Sequence, residues 1–555
     1  MKKSLLLSTL SASLLVSASA NAACVSADLL LVNGHIYTGL ATTATASRLA
    51  VKEGKILSLD DKTAYCPDTK QIDLQGAYVY PGFTDAHAHL KGVGYRELTL
   101  NLQEINSLKE VMDKVRAYAE TTKPGDWIVG RGWIEKVWPE GRFPTRHDLD
   151  QIAKDRPIVL TRADGHALVA NSYALTLAGI TENTPAPDGG AISKDDTGAL
   201  TGMLVDHAME LIYKHVPSPS RADDKKALTT ALARNVSVGW TQTQNAGGSF
   251  SDIALLKELR AEGRLKHRLY YAMDSGPEAA KLLEQGVEVD PDHWLDVRGI
   301  KLYADGALGS RGAALIDKYH DANSRGLLLT TREAALPVMI SALRKGVQIE
   351  THAIGDRANR LVLDWYQEAL TAVPETERAI KDPRWRIEHA QNIQRDDQIR
   401  FKELGIIPSM QPSHAIGDLH FAPNRLGPAR LANAYPWANM IRLGLKVPAG
   451  SDAPVEIGDP RIEFYAAVAR KDLSGYSAKG WHPEQRVSRL DALKMLTLWP
   501  AYAAFQEEVR GTIEVGKLAD VTILSKDIMT IPETEIMSAD VVLTIVGGEV
   551  VYRKE

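Results

Sequence analysis

Apolar residues follow two rhythms along this chain. Near both ends they form short runs punctuated by glycine turns. In the long middle, short apolar runs alternate with segments of helical period. The early runs Asp28-Leu-Leu-Leu-Val and Arg48-Leu-Ala-Val-Lys are followed by Asn33-Gly34 and Glu53-Gly54, which are hairpin turn signals. Ala519-Asp-Val-Thr-Ile-Leu and Val541-Val-Leu-Thr-Ile-Val-Gly-Gly repeat the pattern at the other end. Two β-rich ends around a long middle predict one small β-sandwich built from both termini, from residues 23–80 and 506–555.

The middle predicts an α/β fold. Candidate strands are 78–83, 239–244, 267–272, 299–303, 347–351, 385–388, 406–410 and 446–449, with helical segments such as 251–262, 332–345 and 359–373 between them. Eight strands with intervening helices are what a (β/α)8 TIM barrel requires, here over 81–505. The interval of about residues 91–235 is too long for a loop, so an α/β subdomain is expected to be inserted after the first barrel strand.

The first residues are not read as part of that fold. Met1-Lys2-Lys3 is basic, residues 4–16 are largely apolar, and Ala20-Asn21-Ala22 offers the small residues of a cleavage site. Residues 1–22 are therefore expected to be a signal peptide, too short in its apolar run for a membrane span, and the chain to be periplasmic or secreted. Cys24 lies near the cleavage point, but the leucine-like residue three positions before it is missing, which argues against a lipoprotein. Cys24 and Cys66 are the only cysteines, too few for a cysteine-only metal site. In an oxidising compartment they suit a disulfide; two buried free thiols are the alternative. A net charge of −5 with 24% charged and 44% hydrophobic residues fits a soluble globular protein and gives no basic surplus for nucleic acid.

Potential ligands sit where strands end. Thr84-Asp85-Ala86-His87-Ala88-His89 closes the first barrel strand, and residues two apart in a strand face one side. Later strands end at His352, His389 and Asp452, each at the C-terminal end where barrel active sites are built. Four histidines and an aspartate suit zinc or a similar divalent ion. Lys301 lies inside the fourth strand, where a lysine is costly unless paired or modified. It is read either as salt-bridged to a neighbour such as Asp305, or as carboxylated to a carbamate that bridges two metals. Glu388 is expected to point away from His389 into a structural ion pair. His293, His320 and His414 are taken as ordinary, with only His414 near the mouth.

The order His87-x-His89, Lys301, His352, His389, Asp452 resembles the amidohydrolase superfamily. Pro81-Gly-Phe-Thr-Asp-Ala-His-Ala-His, Asp305-Gly-Ala-Leu-Gly-Ser-Arg, His352-Ala-Ile-Gly-Asp-Arg-Ala-Asn and Gly450-Ser-Asp-Ala-Pro resemble its YtcJ-like branch, as do Gly130-Arg-Gly-Trp133 and Arg162-Ala-Asp-Gly-His166 in the insertion. That branch includes N-substituted formamide deformylases. The resemblance implies two divalent ions: His87 and His89 on the more buried one, His352 and His389 on the second, Lys301 bridging, and Asp452 touching the first metal as general base. Thr201-Gly-Met-Leu-Val-Asp206 departs from it, with aspartate where the branch has glutamate. Trp133, His166, Asp305 and Arg311 are candidates for positioning substrate, with packing or loop ordering as the alternative for each.

The expected activity is hydrolysis of an amide, N-acyl or N-formyl C–N bond in a small molecule by metal-activated hydroxide. A mononuclear deaminase of a nitrogen heterocycle is a second reading. A non-catalytic secreted regulatory protein is a third, since relatives of the branch are linked to regulation of exoenzyme production. A homodimer is a further expectation.

Overall fold

The computed structural model describes residues 24–103, 105–477 and 479–555, so the expected signal peptide lies outside the described residues. Seven parallel strands form one continuous sheet: β1 (Phe83–Ala88), β2 (Trp240–Ala246), β3 (Arg268–Met273), β4 (Leu295–Tyr303), β5 (Gln348–Ala353), β6 (Arg386–His389) and β7 (Ile407–Ser409). They pair in chain order, and nearly every residue is buried, as expected of strands covered on both faces.

The expected eighth strand is only a seam. Met410 N donates to Pro448 O at 3.1 Å, Gly450 N to Met410 O at 3.0 Å, and Ala86 N to Ala449 O at 3.1 Å, which draws β7 toward β1. Pro448 has no N–H for a ladder, so the barrel closes through a few bonds rather than a full strand.

The expected first strand, 78–83, proves to straddle two sheets. Tyr78–Pro81 pairs with Val521–Leu524 outside the barrel, and β1 begins at Phe83. Gly82 passes the chain between them, and a Cβ there would lie 2.4 Å from Thr241 Oγ1. An apolar run alone does not reveal such a handover.

Outside the barrel, a four-stranded sheet (Lys55–Ser58, Leu49–Lys52, Leu29–Val32, Lys70–Asp73) faces a five-stranded one containing Tyr78–Pro81, Val521–Leu524 and Val541–Val546. Leu31, Val51, Val79, Ile523 and Leu543 share one apolar core between them. Arg268, at the start of β3, donates to Asp520 at 2.7 and 3.1 Å in a buried pair that fastens this unit below the barrel. Between β1 and β2 lies a six-stranded sheet running from Leu100–Asn101 to Leu200–Asp206, with apolar cores of its own. Among the described residues, no helix is long and apolar enough to cross a membrane.

Cys24 and Cys66 are joined by a disulfide across 42 positions, beside the Val25–Tyr65 bridge. Closing a loop of that length removes denatured-state entropy equivalent to about 2–4 kcal/mol. Replacing both cysteines with serine is expected to lower the denaturant midpoint of this N-terminal sheet by a corresponding amount. An unchanged midpoint would show that the link is dispensable.

Candidate metal centre and its cavity

The ends of β1 and β6, the segment after β7 and the closing seam converge on one carboxylate. Asp452 Oδ1 lies 3.0 Å from His89 Nε2 and 3.4 Å from His87 Nε2; Oδ2 lies 3.9 Å from His389 Nδ1 and 3.5 Å from His414 Nε2. His87, His389 and Asp452 place ligand-capable atoms within 4.8 Å of one another. The rings of His352 and His389 are 4.4 Å apart. Lys301 reaches in from β4, its Nζ 3.3 Å from His87 Nε2.

The backbone is bent to bring these groups together. Asp452 (φ 58°) and His389 (φ 71°) occupy the left-handed region, which costs a non-glycine residue about 1 kcal/mol or more. Asp85 fixes the first turn by accepting from Ser451 N at 2.8 Å and Ser451 Oγ at 2.5 Å, while Asp452 N donates to His87 O at 2.7 Å. Glycine is required at 450, where a Cβ would stand 2.4 Å from His87 N.

The turn at His389 also corrects the reading of Glu388. Strict alternation would send it away from the site, but the positive φ at 389 breaks the alternation. Glu388 is fully buried, with Oε2 2.5 Å from His87 Nδ1. A carboxylate on the far nitrogen of a ligating imidazole fixes its tautomer and orientation. Gln411 does the same for His389, with Oε1 2.8 Å from Nδ1.

The lysine does not pair with Asp305. Both Asp305 oxygens accept backbone N–H groups, from Ala314, Gly355 and Ile354 at 2.8–2.9 Å, so Asp305 orders loops, although its Oδ1 also lies 3.4 Å from His352 Nε2. Trp133 is buried in the inserted subdomain, its indole N–H donating to Leu160 O at 2.9 Å, and lies outside the cavity. Arg311 turns away to Asp321 at 3.0 and 3.1 Å. His166 does face the cavity, with Nδ1 held by Asp206 at 2.6 Å. Asp206, the departure from the branch pattern, is thus the partner of His166. His414, taken as ordinary, stands in the site, with Gln391 donating to its Nδ1 at 2.9 Å. Its position after β7 was the one available signal.

Burial sets the protonation states. It brings His89 down to about 4, against the pull of Asp452, and holds His352 and His389 well below the ordinary imidazole range. Those rings are neutral, the form that binds metals. Burial also lowers Lys301, against the opposing pull of Glu388 and Asp452. Burial alone would raise Asp452, but the adjacent His87 and His89 pull it well below the carboxylate range. His352 Nε2, His414 Nε2 and Asp452 Oδ1 are buried without hydrogen-bond partners. Although His89 Nε2 is 3.0 Å from that oxygen, the pair is out of line for a hydrogen bond. Orphaned imidazole nitrogens around an orphaned carboxylate oxygen fit a divalent cation. Above them opens a cavity of about 610 Å³, with His352, His389 and Asp452 at its base and Arg162, Ile354 and Phe421 on its walls.

A parallel α/β barrel with imidazole and carboxylate ligands at its strand ends defines a metal-dependent hydrolase. The chain belongs to the amidohydrolase family, whose model matches residues 70–552. It is 32% identical to the "Putative amidohydrolase YtcJ" of Bacillus subtilis (strain 168), covering 94% of this chain and 98% of YtcJ. It is 28% identical to an N-substituted formamide deformylase of Arthrobacter pascens, covering 95% and 98% of the two chains. An uncharacterized metal-dependent hydrolase from Pyrococcus horikoshii OT3 superposes with a TM-score of 0.71 at 26% identity, over 91% of this chain and 99% of that one.

Proposed function

We propose that the protein hydrolyses an amide, N-acyl or N-formyl C–N bond in a small molecule, with Asp452 as general base. The observation that carries this reading is the single carboxylate set among four imidazoles at the floor of an open cavity. The likeness to a formamide deformylase along almost the whole chain supports the bond type. His87 and His89 with Asp452 would hold one ion, and His352 and His389 the other, zinc being the ion that this donor set suits. When bound, such ions supply Lewis acidity and lower the pKa of water. Asp452 is ionised throughout the neutral range, so it can take the proton of the attacking water and return it to the leaving nitrogen. Burial alone would lower His166, but Asp206, accepting from Nδ1, raises it, and the protonated ring then has an Nε2–H to donate to the substrate carbonyl oxygen.

Lys301 would be the residue to carry a carbamate ligand: it is fully buried, beside His87 Nε2, and burial favours its neutral, CO2-reactive amine. Signal-like residues 1–22 and the disulfide support a periplasmic or secreted location. The compact trio His87, His389 and Asp452 favours a second reading, a single-metal deaminase. Elemental analysis of protein purified without chelator, paired with native mass measurement, decides between them. About two ions per chain and the mass of one added CO2 are expected. About one ion with unmodified lysine would move the assignment to deamination, and no metal after reconstitution would remove both.

A further inference from the structure

Beside the main cavity lies a smaller hollow of about 290 Å³, and Lys136, His420 and Phe421 form walls of both. Its cations come from three separate parts of the chain. Lys136 and Arg142 belong to the inserted subdomain, Arg311 to the loop after β4, and Arg425 to the short helix Ala422–Leu426. Such convergence of distant segments is not the scatter of a solvated surface.

The carboxylates nearby are already shared out. Glu135, the one acid lining the hollow among the described residues, takes Arg162 Nε at 3.0 Å and Lys136 Nζ at 2.8 Å. Arg162 has Asp164 as a second partner, and Arg142 pairs with Asp148 at 2.7 and 2.8 Å. Asp321, however, serves two guanidiniums, Arg311 and Arg425, so that direct group holds two cations to one carboxylate, while Asp418, which Arg162 and Lys136 also reach, takes Tyr435 and lines the main cavity. Asp472, which holds His420, faces the main cavity instead. The field of these cations is felt locally. Burial alone would raise Glu135, yet Arg162 and Lys136 hold it down to about 2. Burial brings Lys136 to about 8 despite Glu135, with Arg425 and Arg162 adding to the effect. Phe421 offers an apolar shelf, its ring centroid 5.0 Å from Lys136 Nζ.

We propose that this annex binds the anionic end, a carboxylate or phosphate, of the substrate whose C–N bond lies over the metal centre. Lys136 supplies a point charge, and Arg311 and Arg425, whose Nε–Nη2 edges are held by Asp321 and by Gly309 O, supply positive charge rather than a free fork. An anion there would neutralise the charge that Asp321 leaves over, while its apolar stem crosses Phe421 into the main cavity. The substrate is then a small acyl or formyl amide with an acidic tail. What is cleaved rests on the amide-hydrolase reading; the binding of the anion does not.

The test separates the two. Glutarate, inorganic phosphate and neutral glutaramide are titrated calorimetrically into the metal-loaded protein and into a Lys136→Met/Arg311→Gln variant whose thermal midpoint and metal content match the parent. One anion per chain is expected, with glutaramide silent and affinity falling at least about tenfold in the variant. A tighter fit for glutarate marks a carboxylate tail, and a tighter fit for phosphate marks a phosphate tail. Anion binding that is absent, or unchanged in the variant, overturns the annex, because an anion held by the metals alone would survive those substitutions. N-formyl amines with and without a terminal acid are then compared. The variant is expected to raise KM for the acidic compound at least about tenfold more than for the neutral one, and an equal change for both would overturn the annex. If neither compound is turned over, the amide reading falls while the calorimetry still decides the annex.

Discussion

Asp452→Asn is expected to leave the fold and bound metal in place while lowering kcat by about 10²–10⁴-fold. The substitution keeps the shape and one oxygen but removes the negative charge that the surrounding imidazoles stabilise. An amide cannot accept the water's proton, so the loss should fall on kcat with KM little changed. A second readout separates this from simple misplacement. The carboxylate sits well below its ordinary range, so the parent should stay active until acid reaches it or the metal ligands. The variant should be slow at every pH. Thermal stability should respond too: a carboxylate with a depressed pKa adds stability above its unfolded value and loses it as pH falls toward the folded one. The variant should therefore lack part of the parent's acid-sensitive stability. A parent-like rate in a correctly metallated Asp452→Asn protein would remove Asp452 as the base.

The positions legible in the sequence were those with a periodic signature. His87, His89, His352, His389 and Asp452 each end an apolar run, and parallel strands put such ends on one rim. The helices and most barrel strands lie within a few residues of their expected places for the same reason. What could not be read depended on backbone turns and on contacts distant in sequence. Glu388 was misplaced because alternation assumes a regular strand, and the positive φ at His389 ends that regularity. Lys301 was offered Asp305 as a partner four positions away, whereas three backbone donors from residues 314, 354 and 355 occupy that carboxylate. Trp133 looked like a ligand contact because it lies in a motif, yet Gly132 is the motif residue that lines the cavity, while the indole packs inward. Nothing in the local sequence marks Asp321 as the shared partner of Arg311 and Arg425.

His87→Ala should abolish metal retention and turnover, since it removes the most buried imidazole of the site and leaves Glu388 and Lys301 facing a void. The apparent loss of fold should be small, because the ring belongs to a polar floor, not to the apolar core that carries the barrel. Glu388→Gln supplies the graded comparison. It keeps an acceptor for His87 Nδ1 but removes the charge, and substitutions of this kind cost about 10–100-fold in metal affinity or activity. The two variants therefore predict an order: parent above Glu388→Gln above His87→Ala, in both metal occupancy and rate. Acid should act in the same direction on the parent. His89, brought down to about 4 by burial, and His352 and His389, held well below the ordinary imidazole range by burial, stay neutral in the folded chain while unfolded histidine protonates near 6.5. Stability is then lost as pH falls below 6.5, and protonation of the ligands competes with the metal over the same window. Calorimetry and metal analysis between neutral pH and about pH 5 should show the ions leaving as the melting temperature drops. Retention of metal by His87→Ala, or a Glu388→Gln protein indistinguishable from the parent, would mean that the ions are held elsewhere on the rim.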